Sequence, residues 1–306
     1  MSVWHSVVDS PSFRRIAKGG PGRAVLRSRG ARAVDTRRRA ARAAADVRRN
    51  PHAFDCVQTF GWFVGHNKSG SSLLSALLDA HPDIACSDEV DLLRYVDAGF
   101  SRDELFSLVV RGAQVEARKG RVTARRLGGY SYAVPGWWQG RTRSPAAVCD
   151  TTTGTSTRRL GAHPDLLDRV DGRMAGVRVQ LVQVIRNPFD PISVMMVRGG
   201  RSVENSVDAY FAACDLLVAL RGRAGSRLLD VRYEDVVADP RRSVQRVGAA
   251  FGVTAPADYL DACAALVRPE PDRSRDLVPW TRPWIDTVQR RIDRYDFLDG
   301  YRHDDH

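Results

Sequence analysis

Residues 58–82 read QTFGWFVGHNKSGSSLLSALLDAHP. The first part, QTFGWFVG (58–65), is a short apolar run of strand type, and SSLLSALLDAHP (71–82) places apolar residues at helical spacing. Between them Gly65, four further residues and Gly70 make the glycine frame of a phosphate-binding P-loop. Ser71 stands where such a loop carries its lysine, and a lysine stands three positions earlier, at Lys68. The chain has only three lysines against 44 arginines, so the placement of Lys68 is not composition noise.

Outward from this unit, apolar strands are expected around 146–150 (AAVCD), 177–186 (VRVQLVQVIR) and 226–235 (SRLLDVRYED), with helices between them. That alternation predicts an α/β fold with a P-loop-type central parallel β-sheet flanked by helices. Residues 117–145, rich in Arg, Gly, Tyr and Trp, read as a loop inserted over one end of the sheet. Ligands of such sheets bind beyond the carboxyl ends of the strands, where this chain puts Lys68, Asp150 with Thr151, Arg186 and Tyr233. A ligand with two anionic groups fits that rim. The backbone N–H groups of Lys68, Ser69, Gly70, Ser71 and Ser72 would cradle one group, and Arg186 would hold the other.

The net charge of +11 is unevenly spread. Residues 1–50 hold thirteen basic side chains against three acidic ones, whereas the remaining 256 hold 34 against 33. The expected organisation is therefore a basic, largely helical N-terminal arm at 1–55 and one domain at 56–306. The Ala/Arg stretch at 30–51 should stop as a helix before Pro51. Three readings of the arm stay open: a solvated surface helix, peripheral association with an anionic membrane, and a targeting segment. No aromatic residues interleave with the arginines, so nucleic acid is not expected as a partner. Five scattered cysteines without a CxxC pair give neither a disulfide framework nor a zinc site, and the chain requires no metal. With no apolar run of about 18 residues and no signal segment, the expected location is cytoplasmic or membrane-peripheral.

GHNKSGSSLLSALLDAHPDIACSDE (65–89) resembles the 5′-phosphosulfate loop of sulfotransferases that use 3′-phosphoadenosine 5′-phosphosulfate (PAPS), whose pattern is G-x-P-[RK]-S-G-T-T-L-L followed by DAHPD. VIRNPFDPISVMMVR (184–198) is similar to the family's 3′-phosphate segment, and VRYEDVVADPRRSVQRVGAAFGV (231–253) to its L-R-Y-E-D-L-V-x-D-P stretch. DRSRD (272–276) and RRIDRYDFLDGY (290–301) resemble the closing loop and the C-terminal helix. The motifs run in order over residues 58–301, nearest in pattern to the tyrosylprotein-type and related bacterial enzymes.

The resemblance implies that PAPS is the sulfuryl donor and 3′,5′-adenosine bisphosphate the product, with a hydroxyl or amine acceptor that the sequence does not identify. It implies Lys68 beside the bridging oxygen where negative charge grows, Glu89 as the base with Asp88 as the neighbouring alternative, and Ser274 on the leaving side. Arg186, Ser193, Arg198, Tyr233, Arg273 and Ser274 join Lys68 to Ser72 as residues holding the nucleotide. Two departures are visible. The family's phosphate-binding serine falls at Val194, one residue beyond Ser193. Its sulfuryl-directed lysine falls at Thr151, which brings no charge and leaves a binding-only relative as an alternative. A kinase on the same loop is disfavoured by the missing lysine at Ser71 and by the DRSRD match. YSYAVPGWWQGR (130–141) reads as a roof for the acceptor site or as plain packing, and HDDH (303–306) as a frayed tail.

Overall fold

The computed structural model describes residues 29–88, 90–122 and 131–305, the side chains of 29–32 excepted. In chain order the elements are α1 (Arg29–Arg49), β1 (Thr59–Gly65), α2 (Ser71–Asp79), β2 (Ile84–Ser87), α3 (Leu93–Asp97), α4 (Arg102–Arg118) and β3 (Ala147–Asp150). They continue with α5 (Thr153–Ala162), α6 (Leu166–Arg173), β4 (Arg178–Ile185), α7 (Phe189–Gly199), α8 (Val203–Ala224) and β5 (Leu228–Arg232). The last are α9 (Tyr233–Ala238), α10 (Pro240–Ala250), α11 (Ala257–Leu266) and α12 (Arg282–Ile292), with short 3₁₀ turns at Ser274–Leu277 and Asp296–Leu298.

The strands form one sheet in the order β2-β3-β1-β4-β5, every pair parallel. β1 sits at its centre, and all seven of its residues are buried. Its apolar run does not alternate with polar residues because helices cover both faces of the sheet. From β1 the chain passes through α2 toward the β2 edge, whereas from β4 it passes through α7 and α8 toward β5. The adjacent strands β1 and β4 therefore send their connections in opposite directions, and the crevice between their carboxyl ends is a topological switch point. The P-loop and Arg186 flank that crevice.

Residues 1–50 and Pro51–His306 separate as two compact units. In the first, α1 is a 21-residue helix ending at Arg49, before Pro51, with Arg39 bonded to Asp35 at 3.2 Å. Residues 1–28 of the expected arm lie outside the described residues. Among the described residues no helix is long and apolar enough to cross a membrane.

Two expectations are corrected. The sheet has a further strand, β2, whose four residues IACS are all buried. The helix expected over 290–301 lies upstream instead, at Arg282–Ile292, where Pro283 opens the first turn. Beyond it Tyr295 bonds Asp215 at 2.7 Å, and that contact turns the chain back onto α8. In the Trp-rich segment, read as a roof for the acceptor site or as plain packing, Tyr132 and Trp137 pack on the core, and Tyr132 lies near Tyr233. Residues 138–143 follow α2 away from the P-loop: the Gln139 amide donates to the Ala76 carbonyl, Trp138 N–H to the Ala80 carbonyl and Arg143 N–H to the Pro82 carbonyl. Trp137 meets Tyr259 edge-on there at 5.1 Å.

Candidate functional site

The loop after β1 is built from residues with left-handed backbone: Gly65 at φ 116°, Lys68 at 69° and Gly70 at 96°. Ser69 is buried, and its hydroxyl donates to the His66 carbonyl at 2.9 Å, closing the turn. Gly70 opens α2 without any side-chain cap. The first amides of the helix therefore face the crevice as donors, next to the positive end of the helix dipole. Ser71 is buried and Ser72 half-buried at that first turn, while the Lys68 side chain is exposed at the loop's tip. A Cβ at Gly70 would stand 2.2 Å from the Tyr233 ring, so Tyr233 lies flat against the loop where only glycine fits.

Arg186, the first residue after β4, is buried and faces Tyr233 with its guanidinium carbon 4.8 Å from the ring centroid. Its Nη1 donates to the Lys68 carbonyl at 3.2 Å, its Nε to Asp190 at 3.3 Å, and its Nη2 to the Asp272 carbonyl. Three of its five N–H groups are thus committed, to Asp190, to the P-loop and to the 272–276 turn, and the other two make no hydrogen bond among the described residues. Burial raises the hydroxyl pKa of Tyr233, partly offset by the Arg186 charge. The sequence reading therefore joined residues that the fold does bring together: Lys68 to Ser72, Arg186, Tyr233 and the Arg273–Ser274 turn.

Asp190 and Arg275 were missed. Asp190 is buried, one helical turn beyond Arg186, and accepts from the Arg275 backbone N–H and from Arg275 Nη1, each at 2.9 Å. Burial pushes its carboxyl pKa up, against the opposing pull of Arg186 and Arg275. One carboxylate thereby locks the clamp arginine to the turn carrying Ser274. The i,i+4 spacing of Arg186 and Asp190 was the available signal. The tail at 303–305 is docked rather than frayed: Arg273 and Arg275 both donate to the Asp305 carbonyl, and the Asn187 amide donates to that of Arg302 at 2.7 Å.

Other expected residues stand elsewhere or are otherwise engaged. The Ser193 hydroxyl accepts from the Trp280 indole at 3.1 Å, and Arg273 pairs with Asp276 at 3.0 Å. Ser274 is buried in the 3₁₀ turn. Arg198 is exposed in the last turn of α7, about 12 Å along the helix axis from Asp190. Glu89 lies outside the described residues. Its neighbour Asp88 accepts from the Ser75 hydroxyl on α2 at 3.1 Å and pairs with Arg121 at 3.7 Å. Thr151 is buried beside Cys86, its hydroxyl 3.5 Å from the Cys86 sulfur. Asp150, at the end of β3, accepts from Leu92 N–H at 3.2 Å and from the Thr152 hydroxyl at 3.0 Å, and burial lifts its pKa to about 7. In the loop itself, burial depresses His66 to about 4, leaving it a neutral ring stacked 3.9 Å from Tyr210.

Sheet order and loop define the class, a P-loop-type α/β protein. Residues 178–257, the span that carries Arg186, Ser193, Arg198 and Tyr233, match the model of the sulfotransferase family. Comparison with curated proteins found no match. Among solved structures, the chain is similar to sulfotransferase STF9 of Mycobacterium avium at 13% identity and TM-score 0.48, covering 94% of this chain and 92% of that one. It is also similar to the sulfotransferase domain of the Synechococcus olefin synthase, at 16% identity and TM-score 0.45, over 78% and 96% of the two chains. A mouse sulfotransferase complexed with PAP is similar at 11% identity and TM-score 0.41, over 80% and 84%. These likenesses are too distant to bear on the site, which stands on its own geometry.

Proposed function

We propose that the chain transfers the sulfuryl group of PAPS to a hydroxyl or amine acceptor. The observation that carries this reading is the pairing of an uncapped, glycine-opened helix start with Arg186, which bonds the carbonyl of Lys68 within the same loop. The residues fit such a nucleotide: amides at Lys68–Ser72 for the phosphosulfate, and the two uncommitted N–H groups of Arg186 for the 3′-phosphate. Lys at the tip of the loop, with Ser at position 71, suits a donor without a third phosphoryl group better than a nucleoside triphosphate.

Bound there, PAPS supplies an activated sulfuryl group. In the proposed transfer an S–O or S–N bond forms to the acceptor while the bond from sulfur to the bridging oxygen breaks. Glu89 takes the acceptor's proton, and Lys68 stabilises charge on the departing bisphosphate, with Ser274 assigned to the same side. Thr151 supports a second reading, a relative that binds the nucleotide and transfers slowly, since its buried hydroxyl brings no charge to the place of the family's lysine. The basic arm, proposed as residues 1–55 ahead of a domain at 56–306, is read first as a solvated surface helix and second as a peripheral contact with an anionic membrane, and the proposed location is cytoplasmic.

The reading is tested by a mass-spectrometric search for sulfated products in cells with and without the gene. A product lost with the gene and restored by wild type but not by Lys68→Ala supports transfer. Restoration by Lys68→Ala at the wild-type level contradicts the assignment of Lys68.

A further inference from the structure

The threonine-rich segment after β3, DTTTGTSTRR (150–159), bonds in two directions. Toward the P-loop, the Asn67 side-chain oxygen accepts from Gly154 N–H at 3.1 Å and from the Thr153 hydroxyl at 3.3 Å. The Thr157 hydroxyl oxygen accepts from Gly65 N–H at 2.9 Å. A Cβ on Gly154 would stand 2.7 Å from Asn67, so this approach requires glycine. Toward the other side, the segment grips Ser87, Asp91 and Leu92, which flank the assigned base in sequence. Thr151 N–H donates to the Ser87 carbonyl at 2.9 Å, Asp91 N–H to the Thr152 hydroxyl at 2.8 Å, and Leu92 N–H to Asp150 at 3.2 Å.

The outermost grip is Arg159, whose Nε and Nη2 donate to the two carboxylate oxygens of Asp91 at 2.8 and 2.6 Å. Asp91 holds a left-handed backbone at φ 60°, a conformation that a residue with a side chain keeps only when its surroundings enforce it. Asp150 lies near enough to both Asp88 and Asp91 to feel their charges. Without the Arg159 guanidinium the Asp91 carboxylate would lose both of these bonds and its opposite charge. A two-bond fork fixes direction as well as charge, which a lysine does not.

We propose that residues 150–159 form a brace setting Ser87, Asp91 and Leu92 at a fixed distance from the P-loop, and that Arg159 is a positioning residue for the transfer reaction, acting through Asp91. The assignment of a reaction to this brace rests on the sulfotransferase reading; the brace itself does not. It also gives the segment that lacks the family's lysine a mechanical task.

The test compares wild type, Arg159→Leu and Arg159→Lys in the full chain by amide hydrogen exchange, with calorimetric titration of 3′,5′-adenosine bisphosphate on each. In Arg159→Leu the amides of Asp91 and Leu92 should exchange about 10-fold faster or more, while those of β4 change less than about 2-fold. Arg159→Lys should restore part of the protection, and bisphosphate affinity should stay within about 3-fold, because the P-loop side of the brace is untouched. Unchanged exchange at Asp91 and Leu92, or an equal rise across the sheet, would overturn the proposal. So would a bisphosphate affinity weakened about 10-fold or more, which would place Arg159 on the nucleotide side. If Arg159→Leu does not fold, Asp91→Asn is read in the same way. A wild type that does not bind the bisphosphate refutes the sulfotransferase reading, and exchange still decides the brace.

Discussion

Asp150 and His66 pull the stability of the domain in opposite directions over the same pH range. Asp150 is lifted by burial from 3.8 to about 7, so between those values the folded chain keeps a proton that the unfolded chain has released. Stability from this group is full below 3.8 and is lost as pH rises to 7. At about 1.4 kcal/mol per pKa unit that is a loss of about 4 kcal/mol. His66 is depressed by burial from 6.5 to about 4, so below 6.5 the unfolded chain takes up a proton that the folded ring refuses. Its contribution is full above 6.5 and is lost as pH falls to 4, by about 3 kcal/mol on the same scale. In wild type the two slopes largely cancel. Asp150→Asn removes one of them, so urea-unfolding stability of the variant should rise by about 3 kcal/mol relative to wild type between pH 4.5 and 7. His66→Gln should tilt the profile the other way. The slope is the readout, because a constant offset from altered hydrogen bonds to Leu92 and Thr152 drops out. Identical slopes in wild type and Asp150→Asn would show that Asp150 does not titrate near neutrality, and the reasoning from its burial would fail.

Further outcomes are expected at the crevice. Gly70→Ala combines a left-handed backbone with a Cβ 2.2 Å from the Tyr233 ring, and should weaken bisphosphate binding about 10-fold or more in calorimetry while the sheet stays folded. Asp190→Ala leaves two buried arginines without their shared carboxylate, and should cost about 3 kcal/mol in urea unfolding as well as bisphosphate affinity. An unchanged midpoint would show the pairing to be dispensable. Glu89→Gln should keep bisphosphate affinity and lower sulfuryl transfer by about 10²- to 10⁴-fold, and transfer at the wild-type rate would remove Glu89 from the role of base. Deleting residues 1–50 should leave bisphosphate affinity unchanged and reduce binding to anionic liposomes; a large loss of nucleotide binding would contradict the division of the chain.

Much of this architecture was legible because its signals are local. The glycine frame, the apolar run before it and the helical spacing after it lie within 25 consecutive residues, and Arg186 and Tyr233 are the first residues past β4 and β5. Strand β2 was not legible: four residues, IACS, are too few to show a period, and they follow a helix closely. Nor was the lock between Asp190 and Arg275, 85 positions apart, since an ion pair across that separation leaves no trace in spacing. The Trp-rich segment left two readings open because aromatic content marks burial as readily as it marks a binding site. Only the fold shows that Trp137 and Trp138 lie at the far end of α2. Thr151 is a similar case: read alone it is a missing cation, whereas in the structure its neighbours form one continuous set of bonds from Gly65 to Asp91.

Whether the crevice between β1 and β4 takes an adenosine 3′,5′-bisphosphate nucleotide is decided most directly by thermal unfolding of the full chain with that nucleotide and, separately, with ATP and magnesium. The P-loop without a lysine at Ser71, joined to Arg186, predicts a rise in melting temperature with the bisphosphate that greatly exceeds the rise with ATP and that is lost in Arg186→Met. A shift with ATP and magnesium as large as that with the bisphosphate would contradict the account.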